Sequence, residues 1–105
     1  MSFSRGEVVL LPLPFTDLTS RKVRPAVVVG FGGVAADLFL VPITSQLQNV
    51  EFAFLDWKSA GLNVACGIKA QIATVESRLI IKRVGARSTA DWTAVQSRLR
   101  AWLQL

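Results

Sequence analysis

The chain contains no histidine and a single cysteine, Cys66, in 105 residues. Without histidine it lacks the commonest general base near neutral pH and the commonest metal ligand. One cysteine excludes an internal disulfide, and with it the stapled scaffold that a small secreted fold usually needs. Cys66 reads as a small buried residue, with nothing placed to activate it. The acidic residues (Glu7, Asp17, Asp37, Glu51, Asp56, Glu76 and Asp91) stand singly. No carboxylate cluster is available to hold Mg²⁺, so neither a metal nor another cofactor is expected. No glycine-rich phosphate loop of the Walker or dinucleotide kind occurs. The longest apolar run, residues 8–15, is too short to cross a bilayer and contains two prolines. The opening residues have no apolar stretch before their charges, which predicts no secretory leader, a cytoplasmic location and no membrane partner.

What the chain has is basic charge and apolar bulk. Twelve Lys and Arg oppose 7 Asp and Glu, a net charge of +5, and the pI is about 10.4. That balance favours a polyanionic partner such as RNA, DNA or an acidic protein. The hydrophobic fraction is 51% and the mean hydropathy +0.44. Both are high for a chain that fits one modest domain, residues 1–105. Part of this apolar surface is expected to be buried against a second copy; an apolar monomer is the plainer alternative.

Short β-branched segments dominate the pattern. Residues 7–13 read as the first strand, 25–31 as the second and 37–43 as the third, with Gly32 and Gly33 opening the turn between the last two. Residues 14–23 form a polar, basic loop. Residues 51–55 suggest a short fourth strand, and 57–63 a turn or brief helical piece. A fifth strand is predicted over 67–75, and 79–84 as another strand or the lead-in to a helix. Ser88 fits an N-cap, with Asp91 three residues on in the place of the usual Glu. Trp92, Val95, Leu99, Trp102 and Leu103 then recur at helical spacing, as on a packing helix. Arg98 and Arg100 fall near its C-terminal end, where the helix dipole favours cations. Strands in meander order with one terminal helix predict a mainly β fold, a small antiparallel barrel.

The second and third strands bring chemistry together. If their turn centres near residue 34, Arg24 lies opposite Thr44, with side chains within roughly 5–10 Å. Pro25 holds Arg24 extended. Ser45 and Gln46 follow Thr44, and the loop brings Arg21 and Lys22. A guanidinium beside hydroxyls suits a phosphate, because its planar fork binds two oxygens and keeps its charge. The plainer reading is a surface Arg paired with Glu7 or Asp17, and a Thr that ends a strand.

The segments Gly6-Glu7-Val8-Val9-Leu10, Pro14-Phe15-Thr16-Asp17, Arg24-Pro25-Ala26-Val27-Val28-Val29 and Pro42-Ile43-Thr44-Ser45-Gln46 resemble the ordered blocks of the MazF/PemK toxins. Gln71-Ile72-Ala73-Thr74-Val75 and the closing helix fall where that family has its fifth strand and terminal helix. The resemblance implies an SH3-like barrel, a homodimer, and a cofactor-free, sequence-specific endoribonuclease (an mRNA interferase) that cuts single-stranded RNA at short sequences and leaves a 2′,3′-cyclic phosphate. It also implies an antitoxin partner that wraps the dimer. The family's catalytic Arg maps onto Arg24 and its catalytic Thr or Ser onto Thr44. Candidate RNA contacts are Phe15, Thr16, Asp17, Arg21 and Lys22 from the loop, Ser45 and Gln46 after the third strand, and Lys69 and Gln71 on the fifth. Many relatives carry an acid just before the strand-five Gln and an Arg two residues after it; here those positions are Ala70 and Ala73. Some use a basic residue where Ile68 stands. Lys69 is adjacent, but on a continuous strand it points to the opposite face. A relative that binds RNA or an antitoxin without cutting is the alternative.

Overall fold

The computed structural model describes residues 2–13, 22–33 and 36–105. Val8, Val9 and Leu11 anchor β1, Glu7–Leu13, and none of the three is exposed. β2, Lys22–Phe31, returns antiparallel beside it, from Val8 opposite Val27 to Leu13 opposite Lys22. β3, Asp37–Thr44, pairs with the other edge of β2. Two short strands then share β3. β4, Gly67–Ile68, faces Ile43 and Thr44, and β5, Ala73–Glu76, faces residues 37–40. β6, Lys82–Ala86, closes on the free edge of β1. The order is β4-β3-β2-β1-β6, all antiparallel. A helix, α1, Thr89–Leu103, ends the fold. This is the mainly β architecture with a C-terminal helix that the sequence predicts.

Among the described residues, three prolines lie inside strands without breaking them, because each falls where the pairing on one side does not draw on its N–H. Pro12 is paired with Val23, beyond the β6 pairing that stops at Leu10. Pro25 faces Leu10 just before the β3 pairing begins at Ala26. Pro42 follows the β5 pairing, which ends at Leu40, and on the β4 side only its carbonyl is used, accepting the Lys69 N–H. A missing N–H is harmless at such positions.

The sheet is buried on both faces. Val9, Leu11, Ala26, Val28, Leu38 and Leu40 form one cluster, joined by Ile80 and the half-buried Phe3 and Val75. Val8, Val27, Val41, Ile43 and Ile68 form the other, under Phe54, Cys66 and Val95. The second cluster is covered by α1 and by the segment 51–66. This segment lies along β4 at one end, through the Ala53–Gly67 bridge. At its other end it meets β6, where Gly61 and Gly85 bring the two backbones together. A Cβ on Gly61 would stand 2.2 Å from the Val84 carbonyl oxygen, and one on Gly85 would stand 2.3 Å from that of Ala60. The segment thus spans the gap between β4 and β6.

Asp91 fastens this segment to the helix. Its carboxylate accepts the Leu55 N–H at 2.9 Å and the Asp56 N–H at 3.0 Å. Trp102 Nε1 adds a 3.0 Å bond to Glu51 Oε1. Ser88 caps α1 as expected, accepting the Asp91 N–H at 3.2 Å. The Asp91 side chain does not complete a capping box, because two N–H groups of the covering segment take it instead.

Other expectations shift. β2 begins three residues before 25, since Lys22 and Val23 continue the β1 ladder. Residues 51–55 make one bridge rather than a strand, their partner β4 being two residues long. The predicted strand 67–75 splits in two. The Gln71 N–H turns back onto the Lys69 carbonyl at 2.8 Å, which takes it out of the ladder. Residues 57–63 form hydrogen-bonded turns, and of the two alternatives for 79–84 the strand prevails, shifted to Lys82–Ala86.

Candidate functional site

The β2–β3 register sets Ala26 opposite Pro42, Val27 opposite Val41 and Val28 opposite Leu40. Continued two residues outward, it sets Arg24 opposite Thr44. Both side chains line one cleft of about 210 Å³, together with Ser45, Gln46, Asn49 and Lys69. The cleft holds two cations and no carboxylate among its described lining residues. Glu7, one of the two acids that could have engaged Arg24, pairs with Arg83 instead. Asp17, the other, lies outside the described residues.

The floor of the cleft is a hydrogen-bonded turn. Thr44 Oγ1 accepts the Gln46 N–H at 3.1 Å. Asn49 donates twice to Gln46, from its N–H to the carbonyl at 2.9 Å and from Nδ2 to Oε1 at 3.0 Å. These bonds wind Leu47–Asn49 into a 3₁₀ turn. With its oxygen already accepting from Gln46, the Thr44 hydroxyl has its hydrogen to offer, which suits a phosphate oxygen. The arrangement can bind a phosphate at a fixed fork, donate to it, and hold extra negative charge as that phosphate becomes pentacovalent.

Lys69 enters this cleft, on the face opposite Ile68 as strand parity has it. The Lys69 N–H donates to the Pro42 carbonyl at 3.0 Å, which carries the β3–β4 register one residue past Ile68 and sets Lys69 on the face that Thr44 and Arg24 share. Gln71 follows the backbone turn and is not among the lining residues. Lys22 is exposed at the start of β2 and also lies outside the lining. Phe15, Thr16, Asp17 and Arg21 fall outside the described residues. Asn49 is a site residue that sequence reasoning missed. Only its place three residues after Gln46 hinted at a turn.

A second cleft, of about 360 Å³, shares Arg24, Ile43 and Ser45 with the first. Its walls come from β1, β2, β6 and the covering segment: Leu10, Pro25, Val84 and Lys82 on one side, Leu62, Asn63 and Val64 on the other. Cys66 also lines it. Burial pushes this thiol up to about 11, and the nearby Asp91 charge adds to the effect. Among the described residues, no three acidic or cysteine side chains gather where they could hold a metal ion. No helix among them is long and apolar enough to cross a membrane.

A family model for PemK-like, MazF-like toxins of type II toxin–antitoxin systems matches residues 4–103. No curated protein matches the chain. The family match takes in every strand, both clefts and α1, and so the chain belongs to the PemK-like, MazF-like toxins of type II toxin–antitoxin systems.

Proposed function

We propose that this toxin is an endoribonuclease that cuts single-stranded RNA by turning the RNA's own 2′-hydroxyl on the adjacent phosphate. The 2′-oxygen bonds to phosphorus, the bond to the 5′-oxygen breaks, and the products carry a 2′,3′-cyclic phosphate and a 5′-hydroxyl. The 2′-proton leaves to solvent or a phosphate oxygen, and the departing 5′-oxygen takes one up. Arg24 binds the phosphate and stabilises the phosphorane dianion, the kind of contribution that is often the largest single one. Thr44 donates to a non-bridging oxygen and assists the proton movement. Lys69 adds charge at the same place. The observation that carries this reading is the meeting of Arg24, Thr44 and Lys69 in one cleft whose described lining has no carboxylate. The scarcity of metal ligands supports a route without a metal: the chain has no histidine.

Type II toxins are paired with an antitoxin, and we read its role here as occlusion of the RNA path. We read the working unit as a homodimer in the cytoplasm. Phe39, Ile72 and Leu103 are exposed yet share one groove with Leu99 and Val29, an apolar face of the kind a second copy covers. Light scattering should give about twice 11.4 kDa; a monomer at micromolar concentration would contradict the dimer.

The second reading, a relative that binds without cutting, is favoured by Ala70 and Ala73, which supply neither an acid nor an Arg from strand five. Incubation with a long unstructured RNA in EDTA separates the two. Cleavage with cyclic phosphate ends is expected. Intact RNA at high enzyme, with salt-sensitive binding retained, would establish the second reading instead.

A further inference from the structure

The larger cleft is separate chemistry from the phosphate cleft, yet it opens beside it. Arg24 and Ser45 line both. A strand with one phosphate on Arg24 therefore carries a neighbouring nucleoside to the mouth of the larger cleft. Its volume of about 360 Å³ is near the low end for small-molecule pockets, roughly 300–1,000 Å³. That suits one nucleoside and excludes a run of peptide. Its lining is mostly aliphatic, with Leu10, Pro25 and Leu62 as flat apolar surface and only Ser45, Asn63 and Lys82 as polar edge groups beside Arg24. No carboxylate lies among its described lining residues to repel a polyanion.

The wall opposite β6 is also held in place without a ligand. Gly61 abuts the Val84 carbonyl, the Leu62 N–H donates to the Trp57 carbonyl at 3.1 Å, and Asp91 holds the start of the same segment. Asn63 and Val64 stand exposed at its rim, Val64 at 55%. An apolar, preformed slot with an exposed carboxamide at its edge is the pattern of base recognition in single-stranded RNA, where an unstacked base is inserted and its edge is read.

We propose that this cleft is a nucleobase pocket, seating the base next to the phosphate on Arg24 and reading its edge through Asn63. The proposal rests on the ribonuclease reading for the identity of the strand. The Asn63 carboxamide offers one donor and one acceptor, so it distinguishes bases by the order of groups on their edge. Lys82 favours a base that presents a carbonyl.

The test compares wild type with Asn63→Ala, Asn63→Asp and Leu62→Trp in two assays. The first maps cut sites in a randomised RNA pool. Wild type is expected to prefer one base at a position flanking the cut. Asn63→Ala is expected to cut with that preference relaxed about tenfold. Asn63→Asp, which replaces the donor by an acceptor, is expected to shift preference toward guanine, whose N1–H and amino group donate side by side to a carboxylate. Leu62→Trp fills the slot and is expected to erase the preference. The second assay follows the Val64 methyl resonances while non-cleavable 2′-deoxy oligonucleotides differing in one base are added. Shifts that depend on that base are expected in wild type and not in Leu62→Trp. If RNA stays intact but these shifts appear, the ribonuclease reading fails and the pocket stands. If RNA is cut while cut-site preference and methyl shifts ignore all three substitutions, the pocket is overturned and the ribonuclease reading stands.

Discussion

Arg24 is half-buried in β2, opposite Leu11, and its position owes more to Pro25 than to its own preference. Thr44 ends β3 with its oxygen already accepting a backbone N–H. Thr44→Val keeps the shape and removes the hydroxyl. It should lower kcat by roughly ten- to a hundredfold, and single-turnover kinetics would measure this. The loss of one hydrogen bond to Gln46 should cost only about 1 kcal/mol of stability. An unchanged kcat would remove Thr44 from the chemistry. Cys66 makes the opposite case, a reactive residue type silenced by its surroundings. With the thiol pushed up to about 11, roughly one molecule in a thousand carries a thiolate at pH 8. Alkylation by iodoacetamide should be on the order of a hundredfold slower in the native protein than in denaturant, and should accelerate as pH rises toward 11. Equal rates in the two states would contradict the burial. Arg24 and Thr44 were legible in the sequence because the facing of residues across a hairpin follows from its turn alone. Asn49 and Asn63 were not: Asn49 is placed by a turn onto Gln46 that no strand period announces, and Asn63 by the approach of its segment to β6.

At the scale of elements, the segment 51–66 decides the shape of the larger cleft, and its attachment to α1 is concentrated in Asp91. Asp91→Asn turns one of two acceptors into a donor facing a backbone N–H. The expected loss is about 2–3 kcal/mol, a fall in Tm on the order of 10 °C, readable by calorimetry. A shift below 2 °C would mean that the two bonds contribute little. The strands β1 and β3 and the helix were legible because each carries a clear period: β-branched runs for the strands, and Trp92, Val95, Leu99 and Trp102 for α1. The break between β4 and β5 was not. Nothing in Gly67 to Val75 signals that Gln71 donates its N–H to Lys69. Lys69 comes just before that turn, still in register opposite Pro42, and so keeps its place in the phosphate cleft.

Across the whole molecule, a net charge of +5 makes binding of any polyanion salt-dependent. Lys69 contributes one of the two cations of the phosphate cleft. Lys69→Ala should weaken RNA binding similarly for all sequences and reduce the slope of log Kd against log salt by about 0.7. Fluorescence anisotropy across a salt series would show it, and an unchanged slope would place Lys69 off the RNA. The composition indicated a polyanion partner and more apolar surface than one small fold can hide. It did not indicate where that surface lies, because Phe39, Ile72 and Leu103 are brought into one groove only by folding. The central claim is that Arg24 stabilises the transition state of RNA self-cleavage. Its most direct measurement is single-turnover cleavage of an unstructured RNA in EDTA, wild type beside Arg24→Lys and Arg24→Ala, with folding checked by circular dichroism. The account predicts cyclic phosphate ends from wild type, a loss of about tenfold or more in Arg24→Lys, which keeps charge without the fork, and a loss of about a thousandfold in Arg24→Ala. Cleavage by folded Arg24→Ala at the wild-type rate would contradict it.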